Sequence, residues 1–162
     1  MGRHTLSILV RNHAGALSHI AGLFARRAYN IESIAAGVTD KPDVTRITIV
    51  VKGDENILEQ VIKQLRKLID VIKVIDLGYA DSISRELALI TVRCTKSTRS
   101  EIMEISNVFN AAIVDLSEKL VTIQVVGNDR QIKGIIKLLS FFGIDDMVRT
   151  GVIALPYRST RD

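Results

Sequence analysis

The chain has 162 residues, 47% of them apolar and 25% charged, which describes a globular protein with room for one ordinary domain or two small ones and excludes a disordered chain. A net charge of +4 at pH 7 raises the possibility of nucleic acid. The cations are scattered, however: Arg26, Arg27, Arg66, Lys67, Lys133 and Lys137 fall near helix ends or on polar helix faces, as a solvated surface would place them.

The first stretch, "TLSILV", alternates with Leu6, Ile8 and Val10 on one face and predicts a half-buried strand. Arg11 ends it too soon for a signal-peptide core, no apolar run is long enough for a membrane helix, and Leu6 stands where a myristoylation signal needs Ser or Thr. A cytoplasmic protein without a membrane partner is expected. A helix follows, with Leu17, Ile20, Ala21, Phe24 and Ala28 as its apolar stripe. Gly22 inside it costs about 1 kcal/mol relative to Ala and suggests a close neighbour. "NIESIAAGVT" and "VTRITIVVKG" read as a hairpin around Lys41, Pro42 and Asp43. Asp54 suits the N-cap of a second helix striped by Leu58, Val61, Ile62, Leu65 and Ile69, and "VIKVIDLGY" supplies a closing strand.

After "ADSIS" the same order returns. "ELALITVRC" is a strand, Thr98 with Glu101 forms a capping-box signature, and Ile102, Ile105 and Phe109 stripe the third helix. Cys94, the one cysteine, cannot close an internal disulfide and reads as a buried strand thiol. "AAIVDLS" and "LVTIQVVG" are strands; Gly127 reads as the turn before a helix opened by Asn128 and Gln131. Ile132, Ile135, Ile136 and Leu139 stripe that helix, Gly143 suits the residue past its end, and a last strand runs through "MVRTGVIAL". The fold class is therefore α+β: two tandem ferredoxin-like βαββαβ units, residues 1–79 and 85–162, with a linker at 80–84. Two helices cover one face of each sheet. Leu9 and Val50 make the other face apolar as well, so an oligomer or a sheet contact within the chain is expected.

No nucleophile with a base, cofactor loop or metal cage emerges. His13 and His19 are six apart, which does not bring two side chains to one helix face, and nothing completes a metal shell around them. RNA-recognition domains share this element order but stack bases on aromatic residues of the central strands, and "TLSILV", "RITIVV", "LALITV" and "LVTIQVV" hold none. What remains is the turn "NHAG" before the first helix, whose first amides lack internal partners and favour an anion. Gly15 lets a ligand approach the backbone, and Asn12 offers an acceptor for an ammonium group and donors for a carboxylate, a pairing that suits a free amino acid. Asn30 and Ile31, from a neighbouring copy, could supply a second anchor and an apolar wall. The residues equally permit a plainer account in which Asn12 caps the helix, Gly15 turns, and Asn30 takes the left-handed conformation after it.

"RNHAGALSHIAGLFARRAYNIESI" resembles the N-terminal ACT domain of the regulatory, or small, subunits of acetolactate synthase (acetohydroxyacid synthase), and "TRITIVVKGDE", "EQVIKQLRKLIDVIKVIDL", "REL", "IVDLS", "FGI" and "VRTGVIAL" extend the likeness over nearly the whole chain. "YNIES" and "RTG" are its most specific parts. The resemblance implies that residues 1–79 are an ACT domain for effector binding and dimerisation. It implies a noncatalytic homodimer that activates a catalytic large subunit in branched-chain amino-acid synthesis and confers feedback inhibition by valine. Thiamine diphosphate, FAD and magnesium would belong to the catalytic partner, with no cofactor in this chain. Carried over, valine would lie between two ACT domains, against Asn12, Ala14, Gly15, Ala16 and Leu17 of one copy and Asn30 and Ile31 of the other. Ala28 stands where the family usually carries glycine, and "IESIAAGVTD" departs from the commoner pattern at Ala36 to Val38. The alternative is a tandem ACT-like module that senses an amino acid for a different enzyme or regulator.

Overall fold

The computed structural model describes residues 2–27, 29–78 and 82–157. It divides into two compact units: one holds the chain up to Ile83 together with the segment from Val152 onward, the other holds Ser84–Gly151.

In the first unit the chain runs β1 (Gly2–Arg11), α1 (Ala16–Arg26), β2 (Asn30–Val38), β3 (Val44–Gly53), α2 (Glu55–Leu65) and β4 (Val71–Leu77). The sheet is antiparallel with strand order β2-β3-β1-β4. Period-two alternation puts Leu6 opposite Ile49 and Ile8 opposite Ile47, so these side chains share the face beneath the helices. Ile20, Phe24, Val61 and Leu65 complete that core. Each fully buried aliphatic of this size contributes about 1.5–3 kcal/mol. Asp54 caps α2 as expected, its Oδ1 accepting the Ile57 amide at 2.9 Å.

Helix α1 turns differently from its expected stripe. It buries Ala16, Ile20, Leu23 and Phe24, whereas Leu17 remains 47% exposed and Ala21 is exposed as well. Both arcs have helical spacing, and contact with the sheet selects the one centred between Ile20 and Leu23. Ala28 lies outside the described residues. A methyl group at Gly22 would meet only the Arg26 guanidinium, so no close neighbour explains that glycine. Ile69, expected on the α2 stripe, lies beyond the end of the helix and is 84% exposed.

The opposite face of this sheet is mixed rather than apolar. Cross-strand register aligns Ser33, Val50, Thr5 and Leu77 in one row and Ala35, Thr48, Ser7 and Ile75 in the next. Ser7, Thr48, Val50 and Leu77 are nonetheless buried. The segment from Val152 lies on this side: the Val152 amide donates to Ser33 Oγ at 2.9 Å, and β9 (Ile153–Pro156) runs close to β1 and β4. The chain's own end thus supplies part of the cover that the two helices cannot.

The second unit repeats the order with β5 (Ser82–Arg93), α3 (Arg99–Val108), β6 (Ala112–Leu116), β7 (Leu120–Gly127), α4 (Asp129–Leu139) and β8 (Ile144–Arg149), in sheet order β6-β7-β5-β8. Strand β5 begins at Ser82, inside the stretch read as a linker. Ile90, Val92, Ile123 and Val125 face Ile102, Ile132, Ile135 and Leu139. The capping box of Asn128 and Gln131 forms on both arms. A methyl group at Gly127 would lie 2.8 Å from Gln131, so glycine is what lets that cap close. The box expected of Thr98 and Glu101 does not form. Thr98 is helical rather than extended, and its hydroxyl accepts the Thr95 amide instead of reaching forward into the helix.

The strand expected through "MVRTGVIAL" is broken at Gly151, whose φ of 85° turns the chain between β8 and β9. The segment from Val152 accordingly packs with the first unit, although residues 85–162 are expected from the sequence to form the second. Just before the break, Arg149 donates to both oxygens of the buried Glu86, Nε to Oε1 at 3.0 Å and Nη2 to Oε2 at 2.8 Å, and this pair joins the "REL" and "RTG" segments. Replacing Arg149 by Met strands a buried carboxylate. The expected loss, discounted because the arginine is about one-third exposed, is about 2 kcal/mol or more, read as a lower urea midpoint; Glu86→Leu in the same chain should restore most of it.

Candidate ligand site at the mouth of α1

Strand β1 ends where three connections meet. The Arg11 amide donates to the Asp70 carbonyl at 2.9 Å, tying β1 to the turn before β4. The Asn12 amide donates to the Asp43 carbonyl at 2.8 Å, and Asn12 Nδ2 to the Pro42 carbonyl at 2.9 Å. Asn12 is therefore anchored to the β2–β3 turn and does not cap the helix. Its Oδ1 faces no donor among the described residues. The N-cap is Gly15, at φ 92° and ψ −14°, with no side chain accepting from the helix. Nothing lies within 4 Å of where its Cβ would be, so the constraint on this residue is the left-handed backbone itself.

The amide of Ala16 reaches the His13 carbonyl at 3.3 Å, and that of His19 reaches the Gly15 carbonyl at 2.9 Å. Between them, the amides of Leu17 and Ser18 have no acceptor among the described residues, and the first turn carries no acidic side chain. Two unpaired N–H groups at the positive end of a helix make a receptor for a carboxylate. Asn12, Ala14, Gly15, Ala16 and Leu17 are thus brought together; all but Ala16 are exposed.

Asn30 and Ile31 are not brought to them. Asn30 pairs with Lys52, while Arg11 pairs with Val44. Eight residues of strand at about 3.4 Å each put the two groups on the order of 27 Å apart, at opposite ends of the sheet. Asn30 opens β2 and has no positive φ, so the left-handed role considered for it is not the one it plays.

Sequence reading missed a third component. His13 Nε2 lies 2.6 Å from Asp70 Oδ1, and His19 Nδ1 lies 2.6 Å from Asp70 Oδ2. The spacing argument that separated the two histidines applies to residues on one helix, but His13 stands in the turn before α1 and reaches Asp70 from outside it. Among the described residues no three such side chains are arranged to hold a metal ion. His13 Nδ1 lies 2.8 Å from the Ala14 carbonyl; this bond first, and Asp70 second, raise the His13 pKa above its ordinary 6.5. Asp70, buried and accepting from His19 and then His13, is held below its ordinary 3.8.

Tandem βαββαβ units, the first opening its α1 at a left-handed glycine, define a protein of the ACT type. Residues 6–73 match the model of an AHAS small subunit-like ACT domain, and residues 85–158 match that of the small subunit of acetolactate synthase. A probable acetolactate synthase small subunit of Archaeoglobus fulgidus is 45% identical over 153 residues, 94% of this chain and 96% of that protein. The acetolactate synthase small subunit of Mycobacterium leprae is 45% identical over 152 residues, 94% and 90% of the two chains. The crystal structure of the acetolactate synthase small subunit from Thermotoga maritima matches with a TM-score of 0.89 at 34% identity, covering 97% of this chain and 98% of that one. The chain belongs to the acetolactate synthase small-subunit family. Its members are regulatory subunits, and the catalytic activity resides in the large subunit.

The histidine pair predicts a stability profile. Because the folded His13 pKa is raised, its stabilisation is complete below pH 6.5 and is lost as pH rises through the elevated value. Urea midpoints measured across neutral pH should show this decline in the wild type, and His13→Gln should remove it.

Proposed function

We propose that this chain is the noncatalytic regulatory subunit of acetolactate synthase, which binds the catalytic large subunit, raises its activity and makes it sensitive to valine held between the first units of a homodimer. The observation that supports this reading is the pair of α1 amides with no acceptor among the described residues, in a first turn opened by left-handed Gly15 and preceded by Asn12, whose Nδ2 is tethered to Pro42. The amides suit a carboxylate and the asparagine oxygen suits an ammonium group, which together describe the ends of a free amino acid.

The register leaves room for a second copy. Among the described residues β2 pairs only with β3, so its outer edge is open, and Ile34 and Val38 on it are exposed. Antiparallel pairing of β2 with β2 of another copy would set Asn30 of one chain near Val38 of the other. That is the end of the sheet at which α1 begins, so Asn30 and Ile31 would close the site from across the dimer. Burying Leu17, Ile34 and Val38 there would contribute on the order of a few kcal/mol. Valine and alanine would be told apart by pocket filling, at about 1 kcal/mol or more per methylene. Thiamine diphosphate, FAD and magnesium are assigned to the catalytic partner, and both chains to the cytoplasm; no helix of the described residues is long and apolar enough to cross a membrane.

Calorimetry with valine, leucine, isoleucine and serine, alongside activity of the catalytic subunit titrated with valine, tests the reading. Activation without this chain's effector, and its loss on adding valine, are expected. Gly15→Asp places a charge and a strained backbone at the receptor, and Asn30→His alters the opposite wall; each should abolish feedback inhibition while activation persists. Absence of valine binding at millimolar concentration would defeat the assignment.

A further inference from the structure

We propose that His13 is a proton-linked positioning residue of the α1 turn, and that with Asp70 and His19 it couples capture of an amino-acid carboxylate at the helix mouth to uptake of a proton. This rests on the effector reading above and adds to it a means of control.

The geometry requires a particular protonation state. His13 Nδ1 faces the Ala14 carbonyl at 2.8 Å and Nε2 faces Asp70 Oδ1 at 2.6 Å. Both oxygens can only accept from it, so both ring nitrogens must donate, and only the imidazolium has two N–H groups. A neutral ring turns a lone pair toward one of the two and gives up that contact. Loss of the Ala14 bond releases the peptide that joins Ala14 to left-handed Gly15, immediately before the open amides. Loss of the Asp70 bond leaves a carboxylate that is 5% exposed with His19 Nδ1 as its remaining side-chain donor. Either way, the clamp between the turn before α1 and the turn before β4 is weakened.

On balance the surrounding charges favour the imidazolium. Asp70 from the turn before β4 favours protonated His13, and Arg11 at the end of β1 opposes it more weakly. His19 from α1 shares the carboxylate, and Asp43 on the β2–β3 turn stands beside Asn12 through its carbonyl. An effector carboxylate on the Leu17 and Ser18 amides would add a second negative group to the same turn, whose Ala14 carbonyl the His13 ring already holds. Binding then favours proton uptake, and by linkage protonation favours binding. With one proton involved, affinity can fall by at most about tenfold per pH unit.

The test is calorimetry of valine with the full chain, from about pH 6 to about pH 8.5, in buffers of different ionisation enthalpy. The wild type should bind more weakly as pH rises and take up as much as one proton per site. His13→Gln, a half-exposed and tolerant position, should bind at the weak, high-pH level throughout with no proton uptake, and Asp70→Asn should flatten the profile in the same way. His19→Gln keeps the His13 clamp and should keep the slope. Valine binding that is independent of pH and buffer overturns the proton link while leaving the effector reading intact. A slope that survives His13→Gln overturns the assignment to His13. No valine binding at any pH overturns the effector reading and this inference together.

Discussion

The antiparallel pairing of β1 with β3 governs where anything on the first unit can be built. It sets Arg11 against Val44 at one end and Gly2 against Gly53 at the other, and it leaves β2 on an edge with Asn30 beside Lys52. The mouth of α1 and the start of β2 are thereby held a sheet length apart, although one short helix is all that separates them along the chain. No flexing of a turn can unite them within one copy. A site that uses both ends must use two chains, and a ligand seated across such a contact favours the arrangement of subunits that completes it.

Within that frame the chemistry is carried by backbone more than by side chains. Gly15 in the left-handed region aims the first turn of α1 outward, Asn12 is fixed by the β2–β3 turn, and Arg11 is fixed by the turn before β4. Asp70 reinforces this junction twice, through its carbonyl and through the carboxylate shared by His13 and His19. The buried Asp70 carboxylate is held below its ordinary range by its two imidazole partners, and the same contact helps raise the His13 pKa.

The second unit has the same topology and uses it differently. Its α4 carries a complete capping box and its α3 opens from the Thr95 to Thr98 turn, and neither begins at a left-handed residue as α1 does at Gly15. The bidentate contact of Arg149 with buried Glu86 braces β8 against β5 just before Gly151 redirects the chain. From there Val152 and β9 return to the first sheet, where the Ser33 hydroxyl receives the Val152 amide.

Much of this was set by the sequence acting locally. Alternation over a strand, helical spacing over three turns, and caps that span four residues produced the two βαββαβ units, the α2 and α4 cores, and the caps at Asp54 and Asn128. The residues of the α1 mouth were readable for the same reason, since Gly15 and the first amides lie within a single turn. Tertiary structure decided what depends on partners far along the chain. It chose between two equally periodic arcs on α1, leaving Leu17 outside and taking Leu23 in. It made Asn12 a tether rather than a cap, brought the Val152 amide to Ser33, and set His13 against Asp70, 57 residues away. Spacing rules reach only as far as one helix or strand persists; a contact between turns is created when the sheet brings their ends together, and nothing in either turn alone announces it.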